Sequence, residues 1–193
     1  MAKKFTFAII VGSVRHNRQG IKVARWLETV AKTRGHDIEF VDPRETPLAF
    51  LDKMHKEYKS DVPKNMERIH EQLEKADGFI LVTPEYNHSI SGVMKNLLDH
   101  FQKEYFFKPA GIVGYSVGDF GGVRAVEQIR LIAVELGMTP TPIALPISKV
   151  EEVFSESGDL TNQSYAKRVD RFFDGLEWYT EALLTQRLKG TPY

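Results

Sequence analysis

Gly78-Phe79-Ile80-Leu81-Val82-Thr83-Pro84-Glu85-Tyr86-Asn87-His88-Ser89, followed by Ser91-Gly92-Val93-Met94-Lys95-Asn96-Leu97-Leu98-Asp99, is the stretch that decides the fold. Gly78 to Val82 is a short apolar run of buried-strand type. Ser91 onward reads as a helix opening. Pro84 to Ser89 is therefore a loop at the carboxyl end of a buried strand, where open α/β sheets bind their ligands. Pro84 fixes φ and removes a donor, which stops the strand. The amides of Glu85, Tyr86 and Asn87 are then expected to face away from the sheet, beside the flat ring of Tyr86. Such a loop suits a planar, hydrogen-bonding ring. It is equally a plain Pro-initiated turn with a half-buried tyrosine.

The flanking sequence repeats this strand-to-helix unit. Phe5 to Val11 is a β-branched and aromatic run, then Gly12 to Gly20 is a polar loop. Ile21 to Arg34 carries Val23, Ala24, Leu27, Val30 and Ala31 on one helical face, and Gly35 stops it. Ile38 to Val41 is a second strand ending at Asp42-Pro43. Arg44 to Pro63 is irregular. Pro63 begins a helix with Met66, Ile69 and Leu73 as its stripe and Asp61 as a nearby cap. The helix after Gly92 is expected to reach about Lys103, with Tyr105, Phe106 and Phe107 behind it.

Pro109 to Tyr115 is a fourth strand and Val123 to Leu136 a helix closed by Gly137. Met138 to Leu145 is extended but holds Pro140 and Pro142, which places it at a sheet edge. Ala144 to Asp159 is irregular. Asn162 to Leu184 is a long helix with Tyr165, Val169, Phe172, Leu176, Tyr179 and Leu183 in three-four spacing. Five alternations predict an α/β fold: one domain over 1–193, a doubly wound five-stranded parallel sheet with helices on both faces. The order 2-1-3-4-5 puts the proline-containing strand at an edge.

Three loops follow strands that are neighbours in that order, so one ligand can touch all three. Gly12 to Gly20 opens a helix, where free amides and the helix dipole favour an anion. Ser13 offers a hydroxyl, and Arg15, Asn17 and Arg18 add charge and donors. Two arginines at a helix amino end oppose its dipole unless an anion is present. The alternative is an exposed basic turn. The loop is neither a dinucleotide fingerprint nor a P-loop, lacking Gly-x-Gly-x-x-Gly and Gly-Lys-Ser/Thr. Ser116 to Gly122, with Gly118, Gly121 and Gly122, permits close backbone approach to a ligand, or supplies turn glycines only.

Other chemistries find little support. Lys plus Arg and Asp plus Glu number 26 each, so nothing suggests a nucleic-acid face or a polybasic membrane anchor. There is no cysteine, which excludes disulfides and thiol catalysis and fits a cytoplasmic location. Met1 to Phe5 carries positive charge, but the following apolar run reads as a strand rather than a signal peptide. The six histidines, at 16, 36, 55, 70, 88 and 100, show no metal-ligand spacing, so no metal is expected. His16 and His88 lie in the candidate loops and read as solvated loop residues. No Ser-His-Asp or paired-carboxylate arrangement stands out, so no side chain is assigned as catalytic. A bound cofactor is expected to do the chemistry.

These residues resemble the NAD(P)H-dependent FMN reductases, a flavodoxin-like family that includes quinone, azo and chromate reductases. Gly12-Ser13-x-Arg15 resembles that family's phosphate loop. Pro84-Glu85-Tyr86-Asn87 with Gly92-x-x-Lys95-Asn96-x-x-Asp99 resembles its most specific signature. The resemblance implies bound FMN, with NADPH or NADH as donor and a small-molecule acceptor: a quinone, azo compound, metal oxyanion or free flavin. It implies a ping-pong cycle. It places Ser13, Arg15, Arg18, Gly20 and Ile21 around the phosphate, Pro84, Glu85, Tyr86 and Asn87 along the isoalloxazine, and Ser116 to Gly122 on its other side. Many members carry serine where this chain has Arg18, so an ionic contact is implied there. A homodimer or homotetramer is also implied, with Tyr105, Phe106 and Phe107 as interface anchors unless the monomer buries them. The alternative function is a flavodoxin-like electron carrier or FMN-dependent interaction protein without turnover of its own, of which the neutral charge disfavours the carrier; a flavin-free scaffold with the same fold is a second alternative.

Overall fold

Three apolar runs become the centre of the sheet. Thr6–Val11 (β1), Gly78–Pro84 (β3) and Pro109–Tyr115 (β4) are buried along nearly their whole length, as strands covered on both faces must be. Asp37–Val41 (β2) is half-buried, and Thr139–Pro140 (β5) is only two residues long. All five run parallel in the order β2-β1-β3-β4-β5, the doubly wound flavodoxin-like arrangement. The computed structural model describes residues 3–193; Met1 and Ala2, the start of the basic amino end, lie outside them.

Strand periodicity divides the core in two. Phe7, Ile9 and Val11 point to one face, with Gly20–Thr33 (α1), Val150–Val153 (α5) and Ser164–Arg187 (α6). Ala8 and Ile10 point to the other, with Lys64–Lys75 (α2), Gly92–Asp99 (α3) and Val123–Glu135 (α4). Val11 pairs with Val82, and Pro84 with Tyr115. The carboxyl ends of β1, β3 and β4 therefore finish side by side, and their loops share one rim.

Several expectations change. The fifth strand shrinks to two residues: Thr139 and Thr141 donate to the β4 side at 2.9 Å each, Pro140 and Pro142 fall at the alternate positions that face the open edge, and the pairing beyond continues as single bonds from Leu145 and Ile147 at 3.0 and 2.8 Å. Asp61 does not cap α2: it sits at φ 59°, and the residue before the helix is Pro63, with no side-chain cap. The third helix stops at Asp99, not near Lys103. The chain then turns, Glu104 accepts the Gln102 amide at 2.8 Å, and Phe101 and Tyr105 swing into the core. Tyr105 is thereby a core residue, edge-on to Phe79 at 5.4 Å, and is unavailable as an interface anchor. Phe106 and Phe107 are half-buried against Tyr193. In α6, Tyr165 to Leu176 are buried but Tyr179 and Leu183 are only half so. This 24-residue helix spans about 36 Å, against about 23 Å for seven-residue β4, so its last turns outrun the sheet.

Candidate functional site

The first loop is set by contacts at its root. The Gly12 amide donates to Val82 O at 2.7 Å, and a Cβ at Gly12 would lie 2.7 Å from that same oxygen, so only glycine fits. Ser91 caps α3 by accepting the Met94 amide at 3.1 Å and donates its hydroxyl to Gly12 O at 2.5 Å. One side chain thus fixes both the start of α3 and the start of the loop.

Beyond this root, Ser13 is buried and its Oγ lies 3.1 Å from Tyr86 Oη. Arg18 forms a bidentate pair with Asp42 at the end of β2, both contacts 2.5 Å, and also donates to Ser13 O at 2.8 Å. Its side chain is 7% exposed and that of Asp42 4%. Its guanidinium is thus paired within the protein and braces the loop at the cleft edge. Arg15, by contrast, is exposed, with its guanidinium 5.8 Å from the Tyr86 ring centre.

The amino end of α1 is left open. Gln19 at the N-cap makes no side-chain cap, and no acidic residue lies in the first turn. Among the described residues, the Gln19 amide meets no backbone acceptor, the Gly20 amide is directed at the Tyr115 hydroxyl, and the buried Gln19 Oε1 has no partner. An uncapped helix start beside an exposed arginine is an arrangement suited to an anion.

The second loop departs from the sequence reading. The Glu85 amide is bonded to Tyr115 O at 3.2 Å, and the Tyr86 amide to Ser89 O at 2.9 Å. Those two amides are therefore occupied. Asn87 and His88, at φ 51° and 66°, are the centre of a tight turn of the hairpin type. Glu85 points away to α4, accepting the Arg124 amide at 3.0 Å and its guanidinium at 2.8 Å. Burial pushes the Glu85 carboxyl up, but these bonds outweigh it and hold it below the ordinary value. The Tyr86 ring is the part of the loop left for a ligand.

The third loop closes on itself. Ser116 Oγ donates to Gly118 O at 2.9 Å and accepts the Gly121 amide at 3.0 Å. Gly121 and Gly122 have φ 65° and 77° and pack against Ile147 and Tyr115 backbone. They are turn and packing glycines; Gly118 alone faces open space.

A cleft of about 690 Å³ joins the three loops. Ser13, Arg15, Asn17, Arg18, Pro84, Glu85, Tyr86, Ser116 and Gly118 line it. Gly20, Ile21, Asn87, Gly121 and Gly122 do not. Gly20 is buried under Tyr115, and Ile21 lines a separate hollow with Trp26 and Leu160. Sequence reasoning missed Asp42, Gln19, Tyr115, Val150 and Glu151. Tyr115 forms the cleft floor; burial first, then the neighbouring Tyr86, drives its phenol pKa upward, so it stays protonated. A tyrosine ending a strand opposite Pro84 was the available signal. Asn96, in the expected signature, serves the scaffold: it accepts from the Leu51 amide and donates to Ala49 O, holding the long connection after β2.

Comparison with known proteins places this geometry among flavin enzymes. Residues 5–152 match the family model described as NADPH-dependent FMN reductase. The chain is 34% identical over 170 residues to an FMN-dependent NADPH-azoreductase of Staphylococcus aureus, covering 86% of this chain and 90% of that one. It is 31% identical over 173 residues to a 2-hydroxy-1,4-benzoquinone reductase of a Burkholderia species, covering 86% and 91%. Among solved structures, a flavoenzyme NAD(P)H:(acceptor) oxidoreductase from Paracoccus denitrificans superposes with a TM-score of 0.75 at 25% identity, covering 92% and 98%.

Proposed function

The chain belongs to the NADPH-dependent FMN reductase family and is an enzyme, and on that premise we propose that it reduces quinones and azo compounds by a ping-pong cycle. The observation that carries the proposal is the uncapped start of α1, opening beside Arg15 onto a cleft walled by Tyr86. The residues present fit FMN. The Gln19 amide and Arg15 would hold its phosphate, and Tyr86 and Pro84 would border its ring. Bound FMN supplies hydride acceptance from a nicotinamide and electron delivery to the acceptor.

What the chain itself contributes is position and charge. Arg18, locked to Asp42 and Ser13 O, keeps the loop from collapsing into the cleft. Ser13 and Tyr115 hold their protons near Tyr86 and give the floor a polar lining that carries no charge at neutral pH. One cleft serves both substrates, so the nicotinamide leaves before the acceptor enters. Purified protein is expected to be yellow and to release FMN on heating. Steady-state rates with NADPH and a simple quinone are expected to give parallel double-reciprocal lines. Intersecting lines would overturn the shared cleft, and a colourless protein that cannot be reconstituted with FMN would overturn the function.

A further inference from the structure

Away from the cleft, three elements bring chemistry-bearing side chains to one point. A three-residue turn, His55 to Glu57, lies in the long connection between β2 and α2. Glu67, His70 and Glu74 lie on successive turns of one face of α2, a spacing that aligns side chains. Glu104 comes from the turn after α3. His55 Nε2 is 3.0 Å from Glu67 Oε2, and His70 Nδ1 is 2.7 Å from Glu104 Oε1. Ligand atoms of His55, Glu67 and His70 lie within 4.8 Å of one another, as do those of His70, Glu74 and Glu104.

We propose that this cluster is a binding site for a divalent transition-metal ion of the zinc class. The first argument is charge. The cluster holds three carboxylates, those of Glu67, Glu74 and Glu104. Lys108, whose ammonium donates to Leu73 O and Glu74 O at 2.9 and 3.1 Å, is the cation beside them. Glu104 is 6% exposed and accepts the Gln102 amide at 2.8 Å as well as His70. The His55 and His70 rings are stacked, 3.9 Å between centres and 14° from parallel, so two imidazoles share this small space with the carboxylates. A divalent ion would place two positive charges at a single point among them.

The second argument is ligand type. Imidazole with carboxylate suits zinc and its neighbours, whereas calcium and magnesium prefer all-oxygen shells. Glu104 accepting from His70 Nδ1 leaves Nε2 as the donor to the metal, the arrangement in which a carboxylate orients a ligating histidine. Near-parallel rings cannot aim their in-plane lone pairs at one ion. Binding therefore turns His55, which sits on the short turn of an irregular connection, while His70 stays rooted on α2. The ion would then clamp that connection to α2.

The test uses the full-length chain without a histidine tag, stripped with chelator and titrated calorimetrically with zinc chloride. One zinc per chain and a higher Tm are expected. His55→Ala and His70→Ala should each weaken binding at least tenfold, while His16→Ala and His88→Ala should not change it. Magnesium chloride at a hundredfold higher concentration should leave Tm unmoved. X-ray absorption of the wild-type zinc complex should show nitrogen and oxygen neighbours at about 2.0–2.1 Å with scattering from two imidazoles. This readout needs no variant to fold. Absence of saturable one-to-one uptake, uptake indifferent to both histidine substitutions, or a spectrum with fewer than two imidazoles would overturn the site.

Discussion

The loops that lead into α1 and α4 both line the cleft, and the two helix starts are finished in opposite ways. At α4 the protein supplies its own anion. Glu85 reaches from the β3 loop, takes the Arg124 amide and pairs with the Arg124 guanidinium, and Ser116 closes the preceding loop on itself. At α1 no side chain caps the helix, no acid sits in the first turn, and Gln19 Oε1 is buried without a partner. The same helix-end physics yields scaffold where the orphan donors are answered internally. Where they are not, it leaves donors facing the cleft. Even the arginines divide this way: Arg18 is committed to Asp42, and Arg15 is left facing the cleft.

The sharpest way to break this contrast is Asp42→Ala. Removing one partner of a buried ion pair strands the other, so unfolding free energy is expected to fall by about 3 kcal/mol, read by urea denaturation of flavin-free protein. A loss under about 1 kcal/mol would mean that Arg18 turns freely to solvent and braces nothing.

Glu85→Gln tests the capped end. The loss of a charge-assisted pair at a helix start is expected to cost about 1–2 kcal/mol at pH 7. The Glu85 carboxyl is held below 4.5 in the folded chain. Its contribution is therefore complete above the unfolded value and disappears as pH falls through the lower folded one. Wild type and variant should converge once the pH has fallen through the lowered folded value. A gap that persists there would assign the effect to packing.

Arg15→Ala tests the open end. FMN affinity is expected to fall about tenfold, or roughly 1.4 kcal/mol, with a larger loss at low salt and little change in the stability of flavin-free protein. Riboflavin, which lacks the phosphate, should be indifferent. Equal losses for both ligands would show that Arg15 acts through folding. The smallest effect is expected from Tyr86→Phe, which keeps the aromatic wall but removes the bond to Ser13. A change of about 0.5–1 kcal/mol in FMN affinity is expected, with most turnover retained. An inactive but yellow variant would make the phenol a participant in the chemistry.

Sequence by itself determined the strand order and where the cleft lies. Continuous apolar runs such as Gly78 to Val82 can be buried only between helical layers, and the prolines at 140 and 142 exclude the last strand from the centre. Glycine at position 12, Ser13 and Tyr86 could be read in place because their loops begin where those strands must end. Only the tertiary structure decided which polar groups are free. Arg18 and Arg15 are alike in the linear chain. What separates them is Asp42, brought over by the β1–β2 pairing. Glu85 looked like part of the ring-binding edge until α4 placed Arg124 against it. His55 and His70 carried no ligand spacing, because their partner Glu104 arrives from 34 residues beyond His70 on another element. Periodicity and turn chemistry are local, so one chain displays them; whether a hydrogen bond is already spent depends on a neighbour that only folding supplies.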